Sequence, residues 1–137
     1  MVYEPQKLRR LHILLVDDDP GAFHRIQQAL DSDFYIYHAQ SLMKARQYLK
    51  EDVPDIVICE VQLGLESGLE LCHFIRNTPS LHHLPIMLLT SLTTLQDKIE
   101  GFNAGADDYV IKPFDARHLM TRIRLLTRMK NLEQQDN

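Results

Sequence analysis

Side chains that handle phosphate or a divalent cation stand at the ends of apolar runs in this chain. Ile13-Leu14-Leu15-Val16 stops at Asp17-Asp18-Asp19, Ile56-Val57-Ile58-Cys59 at Glu60, Ile86-Met87-Leu88-Leu89 at Thr90-Ser91, and Tyr109-Val110-Ile111 at Lys112. Clustered carboxylates attract a hard divalent cation, and magnesium takes one or two of them with waters and phosphate oxygens. A lysine and a hydroxyl opposite can hold the remaining phosphate oxygens. Together these are the parts of phosphoryl transfer, in which a protein mainly positions groups and neutralises charge. Each group also has an ordinary role: helix-capping charge, a strand's exit to water, a strand-end hydroxyl, a solvated base. Only their meeting at one edge turns them into a candidate site.

That meeting depends on the elements between them. Pro20 suits the first turn of a helix and the aspartates its amino end, so the first helix is predicted from about Pro20 to Leu30. Phe34 to Ala39 reads as a second strand, and Ser41 caps a helix whose inner face is Leu42, Ala45, Tyr48 and Leu49. The run from Ile56 is buried on both faces and brings Glu60 to its carboxyl end. A third helix spans Gly68 to Arg76, and a fourth, about Leu95 to Ala104, carries Ile99 and Phe102 on one side and stops at Gly105. The last helix runs from Asp115 or Ala116 to Met129, with Leu119, Ile123 and Leu126 inside. Strands alternating with helices predict a doubly wound α/β domain, its parallel sheet covered on both faces by right-handed crossovers. The strands' carboxyl ends then share one edge, where such sheets place their chemistry.

Length and composition set limits. With 137 residues the chain predicts a single domain with one core. A formal charge of -4, without a long basic run, gives this domain no electrostatic footprint for nucleic acid. Cys59 and Cys72 lie in a strand and a helix, not in a metal-spaced pair, and read as buried reduced thiols. No apolar h-region follows the amino terminus, and no window reaches the roughly 18 apolar residues of a membrane span, so a soluble cytoplasmic protein is expected. The seven histidines show no metal-binding spacing, and only His24 falls near the acidic edge.

The motifs Ile13-Leu14-Leu15-Val16-Asp17-Asp18-Asp19-Pro20, Glu60 with Gly68 eight residues on, Pro85 to Thr90, and Gly105-Ala106-Asp107-Asp108-Tyr109-Val110-Ile111-Lys112-Pro113-Phe114 resemble the receiver domain of two-component response regulators. The resemblance covers His12 to Arg128 and implies a flavodoxin-like (βα)5 fold with strand order 2-1-3-4-5. The family's function is a switch: a sensor histidine kinase or a small phosphodonor phosphorylates an aspartate with magnesium, and the far face changes shape. Carried over by position, Asp17, Asp18 and the backbone carbonyl of Gln62 match the magnesium ligands. Thr90 and Tyr109 match the switch pair, Lys112 the phosphoryl-pairing lysine, and Pro113 follows a cis bond. The corresponding boundaries are a polar lead (1–11), the receiver (12–129) and a frayed tail or linker start (130–137).

One departure alters the mechanism. The phosphoacceptor position holds Glu60, whose extra methylene moves the carboxylate by roughly 1 Å, a misplacement that can cost on the order of a hundredfold. Ordinary phosphorylation is therefore not expected, and Glu60 can instead reach toward Lys112. That leaves the site in a fixed state, either mimicking the phosphorylated form or inert; Glu60 brings one negative charge where phosphorylation brings about -1.5 to -2, so any mimicry is partial. A second departure concerns self-association. Lys98, Asp108 and Arg122 fit the charge network that pairs receivers through the fourth helix, fifth strand and fifth helix, but Ala104, His118 and Met129 replace charged partners. A monomer or weak homodimer is expected.

The leading reading is an atypical, phosphorylation-independent receiver that is not an enzyme and works by protein–protein interaction. Alternatives are the amino-terminal receiver of a longer DNA-binding regulator, and a haloacid-dehalogenase-like phosphatase built on Asp17, Asp19, Thr90 and Lys112. The phosphatase needs an acidic pair after the lysine, whereas Asp107-Asp108 precede it.

Overall fold

Four consecutive residues at less than 1% exposure, Ile56 to Cys59, form a strand covered on both faces, as the middle of a parallel sheet requires. In the computed structural model, which describes residues 10–30 and 34–135, that segment is β3 of a five-stranded parallel sheet. The elements follow the chain as β1 (Leu11–Val16), α1 (Ala22–Ala29), β2 (Phe34–Ala39), α2 (Leu42–Glu51), β3 (Ile56–Cys59), β4 (Gln62–Leu63), β5 (Glu66–Ser67), α3 (Gly68–Arg76), β6 (Ile86–Thr90), α4 (Leu95–Asn103), β7 (Asp108–Ile111) and α5 (Ala116–Gln135). The large sheet runs β2-β1-β3-β6-β7, all parallel. Counted without the small hairpin, this is the expected 2-1-3-4-5 order. Apolar cores lie on both faces. Leu42, Ala45, Leu49, Leu71, Cys72 and Ile75 pack one side beneath α2 and α3. Ala22, Ile26, Leu119, Ile123 and Leu126 pack the other beneath α1 and α5.

The local chemistry departs from expectation in several places. Pro20 lies in a turn and α1 begins two residues later, with Gly21 at its cap and no side-chain cap bond. The aspartates bond the loop instead: Asp17 Oδ1 accepts from Asp19 N–H and Asp19 Oδ1 from Gly21 N–H. Ser41 does cap α2, accepting from Lys44 N–H at 3.2 Å. The loop after Glu60 folds into the antiparallel β4–β5 hairpin. Gly64, at φ +60°, takes the first central position of its turn, where type II′ hairpins favour glycine. α4 buries little more than Gly101, against Leu88 and Tyr109, and leaves Leu95, Ile99 and Phe102 exposed.

The last helix does not end at Met129. It continues to Gln135 because Lys130 binds Asp107 at 3.0 Å and Glu133 at 3.5 Å. Residues 1–9 of the polar lead and 136–137 of the expected frayed tail lie outside the described residues. Among the described residues no helix is long and apolar enough to cross a membrane.

Candidate functional site

β1, β3, β6 and β7 end together and deliver Asp17, Glu60, Thr90 and Lys112 to one edge of the sheet. Neighbouring ladders hold the register: Glu60 N–H donates to Val16 O and Lys112 N–H to Thr90 O. Asp17 and Glu60 are 3% and 7% exposed, so their carboxylates need partners. Lys112 is the common one. Its Nζ donates to Asp17 Oδ2 at 2.8 Å and to Glu60 Oε1 at 3.1 Å. Burial pulls the Lys112 ammonium down, but its hydrogen bond to Asp17 and the charges of Asp17 and Glu60 outweigh that and hold it above the ordinary lysine value.

Both carboxylate oxygens of Glu60 are engaged. Its Oε2 accepts from Val61 N–H at 2.6 Å and Gln62 N–H at 3.3 Å, so three donors converge on one carboxylate. Gly68 permits this turn, since a Cβ there would stand 2.1 Å from Glu60 O and 2.8 Å from Cys59 Sγ. Asp18 is exposed, with no hydrogen-bond partner among the described residues.

Asp17, Asp18 and the Gln62 carbonyl are hard oxygen donors, the kind magnesium takes. Asp17 is already committed, however, with Oδ1 to Asp19 N–H and Oδ2 to Lys112. Among the described residues no group of three or more His, Cys, Asp or Glu is placed to hold a metal. The donor set fits the ion in kind, and the ion must compete with an ammonium.

Thr90 is fully buried, and its hydroxyl accepts from Leu92 N–H at 3.3 Å. Tyr109, 7% exposed, donates its hydroxyl to Leu92 O at 2.9 Å. The backbone of Leu92 thus joins Thr90 to Tyr109, a link no sequence spacing announces. The Lys112–Pro113 peptide is cis, as the resemblance implied. On the adjoining face Arg122 pairs with Asp108 through both carboxylate oxygens, one bond at 2.8 Å, and Lys98 lines the same groove as Tyr109, His118 and Arg122.

The histidine expectation needs correction. His24 is exposed on α1, whereas His38 touches the edge, its Nε2 2.8 Å from Asp17 O and its ring stacked on Phe23. β2 ends at the same edge as β1, but His38 lies within the strand, one residue before Ala39, so a strand-end rule does not find it. Cys59 and Cys72 are free and buried, as expected. Burial pushes the Cys59 thiol well up and the Cys72 thiol to about 11.

Comparison with known proteins completes the picture. Residues 13–124 match the model of the response regulator receiver domain. The transcriptional regulatory protein PhoP of Escherichia coli O157:H7 is 38% identical over 86% of this chain and 52% of its own length. The DNA-binding dual master transcriptional regulator RpaA of Synechocystis is 33% identical over 85% of this chain and 48% of its own length. The chain therefore spans about half the length of these curated relatives. The crystal structure of a response regulator from Chloroflexus aurantiacus superposes with a TM-score of 0.83 at 33% identity, covering 88% of this chain and 99% of that one. With its sheet order and strand-end residues, this chain belongs to the response regulator receiver domains of two-component signalling.

Proposed function

We propose that this receiver does not take up a phosphoryl group in the ordinary way and acts by protein–protein interaction in a fixed state. The observation that carries this reading is the environment of Glu60, at the position that matches the family's phosphoacceptor aspartate. Nζ of Lys112 and the N–H groups of Val61 and Gln62 all donate to its carboxylate. Such donors would neutralise an incoming phosphoryl group, and here the protein's own side chain occupies them. Three of the carboxylate's roughly four lone-pair sites are taken in this way, which leaves little of it open to a phosphodonor.

In this reading Asp17, Asp18 and the Gln62 carbonyl hold magnesium only weakly, because the ion competes with Lys112. Thr90 and Tyr109 form the switch pair, tied through Leu92. The output surface is the face of α4, β7 and α5 around Lys98, Asp108 and Arg122, where the exposed Leu95, Ile99 and Phe102 add apolar area. The Asp108–Arg122 pair is satisfied within the chain, and exposed ion pairs are worth roughly 0 to 1 kcal/mol, so a dimer through this face is weak. The partner is a sensor histidine kinase or a downstream signalling protein in the cytoplasm, and this domain itself binds no nucleic acid. The family match leaves the phosphatase alternative without support.

The test is intact-protein mass after incubation with acetyl phosphate and magnesium, for the parent and Glu60→Asp. Labelling of the variant alone supports a site arrested by one methylene. Labelling of the parent sinks the proposal.

A second reading concerns context. The relatives that carry transcriptional-regulator names are about twice as long as the segment they share with this chain, which favours an amino-terminal receiver in a longer DNA-binding regulator. The length of the full gene product decides it.

A further inference from the structure

β2 is an edge strand of unusual composition. Its six residues, Phe34-Tyr35-Ile36-Tyr37-His38-Ala39, include no Lys, Arg, Asp, Glu or Pro. Natural edges are usually guarded by charge, proline, a bulge or a cover, because their unpaired N–H and C=O groups template further pairing. Among the described residues β2 pairs with β1 alone.

The backbone bonds identify the open groups. Asp17 N–H donates to Ala39 O, while the carbonyls of Val16 and His12 accept from Glu60 and Asp55 on the β3 side. Odd-numbered residues of β1 therefore face β2, and residues 35, 37 and 39 of β2 face back. Phe34, Ile36 and His38 turn their N–H and C=O groups outward.

We propose that this outer edge pairs, antiparallel and about a two-fold axis at Ile36, with the same edge of a second copy of this chain. The register follows from the open groups. Residues that exchange both backbone bonds in an antiparallel ladder stand directly opposite each other. Ile36 then faces Ile36, and Phe34 faces His38. The intervening positions form the closer, non-hydrogen-bonded pairs, Tyr35 of each copy against Tyr37 of the other. Those tyrosines, 43% and 45% exposed, are the large exposed side chains of the strand. A two-fold at Ile36 brings them together on one face, and no like charges of β2 meet across it.

A second observation lies beside the seam. Tyr48 Oη is the buried side-chain polar atom that lacks a hydrogen-bond partner among the described residues. Its ring is 5.1 Å from that of Tyr37. Both residues line a cavity of about 370 Å³ together with His38, Gln40 and Lys44. The paired register sets Tyr35 of the second copy next to Tyr37, at the mouth of this cavity, with a hydroxyl to offer. Strand pairing of this length falls below the roughly 1,200 Å² of a stable complex, so the association is weak and concentration-dependent. It is independent of the state of Glu60.

The experiment is sedimentation velocity of the full chain up to roughly 1 mM, with Tyr35→Lys and Tyr37→Lys as edge-blocking variants whose folding is checked by circular dichroism. The expected result is a concentration-dependent dimer lost in both variants. The register is tested by Tyr35→Cys and Tyr37→Cys proteins under mild oxidation. A mixture of the two forms a disulfide-linked dimer that neither forms alone, because like positions lie diagonally, about 7–8 Å apart, beyond disulfide reach. A monomer at every concentration, a dimer that survives both lysine variants, or cross-linking of either cysteine variant alone overturns the proposal. So does slow amide exchange at Ile36 and His38 in a monomer, which would mean that the chain covers its own edge.

Discussion

Lys112 Nζ and Asp17 Oδ2 stand 2.8 Å apart across 95 positions of sequence. The same ammonium holds Glu60, so two buried carboxylates share one cation. Acidic residues this close repel unless a positive charge lies between them, and here the protein supplies that charge itself.

Removing it should therefore cost stability as well as chemistry. Lys112→Ala leaves Asp17 and Glu60 buried without a counterion and is expected to destabilise the fold by about 3 kcal/mol. The check is the urea midpoint. An unchanged midpoint would mean that water or a solution cation neutralises the pair.

Gly68→Ala should damage the site from behind. The new Cβ meets the Glu60 carbonyl at 2.1 Å, and backbone cannot yield as a side-chain tip does. A loss of about 2–3 kcal/mol is expected, with displaced amide resonances at Val61 and Gln62. Resonances that stay in place while stability falls would separate the glycine from the geometry of Glu60.

At the opposite edge of the sheet, Asp107 is a hub. It accepts from Arg76 at 2.7 Å, from Ile86 N–H at 2.9 Å and from Lys130 at 3.0 Å. Asp107→Ala should cost about 3 kcal/mol and speed amide exchange in residues 130–133, because Lys130 loses its anchor. Unchanged exchange there would mean that the end of α5 is held by other contacts.

Alkaline pH should unfold the protein in a defined window. Burial raises Cys72 from an ordinary 9.0 to about 11. Burial, then the charge of Asp52, raises Tyr48 from 10.0 to about 12. Lys112 is raised too, by Asp17 and Glu60 against the opposing effect of burial. Each group binds its proton more tightly when folded, so its contribution is intact below the unfolded value and lost as pH rises through the folded one. Stability should decline from about pH 9 to about pH 12. Urea midpoints across that range test it, and Cys72→Ala should flatten the lower part of the decline.

Much of this was legible in the chain. Apolar runs that end in Asp17, Glu60, Thr90 and Lys112 specify buried strands and their exits, since a strand covered on both faces reads as a near-continuous apolar run until it reaches the end of the sheet. The alternating pattern of strands and helices specified a parallel sheet and the edge on which these groups meet, while the strand order came from the resemblance to receiver domains. The tertiary structure decided what depends on packing between distant elements. Sequence periodicity cannot show that Lys112 bonds Asp17 and Glu60 at once, or that the backbone of Leu92 joins Thr90 to Tyr109. Nor can it show that Lys130 carries α5 past Met129 to reach Asp107, because the two meet only after the sheet has formed. The place of His38 beside Asp17 likewise required β2 to dock on β1. Local chemistry chose the elements and the residues at their ends, and only close packing chose which of those residues touch.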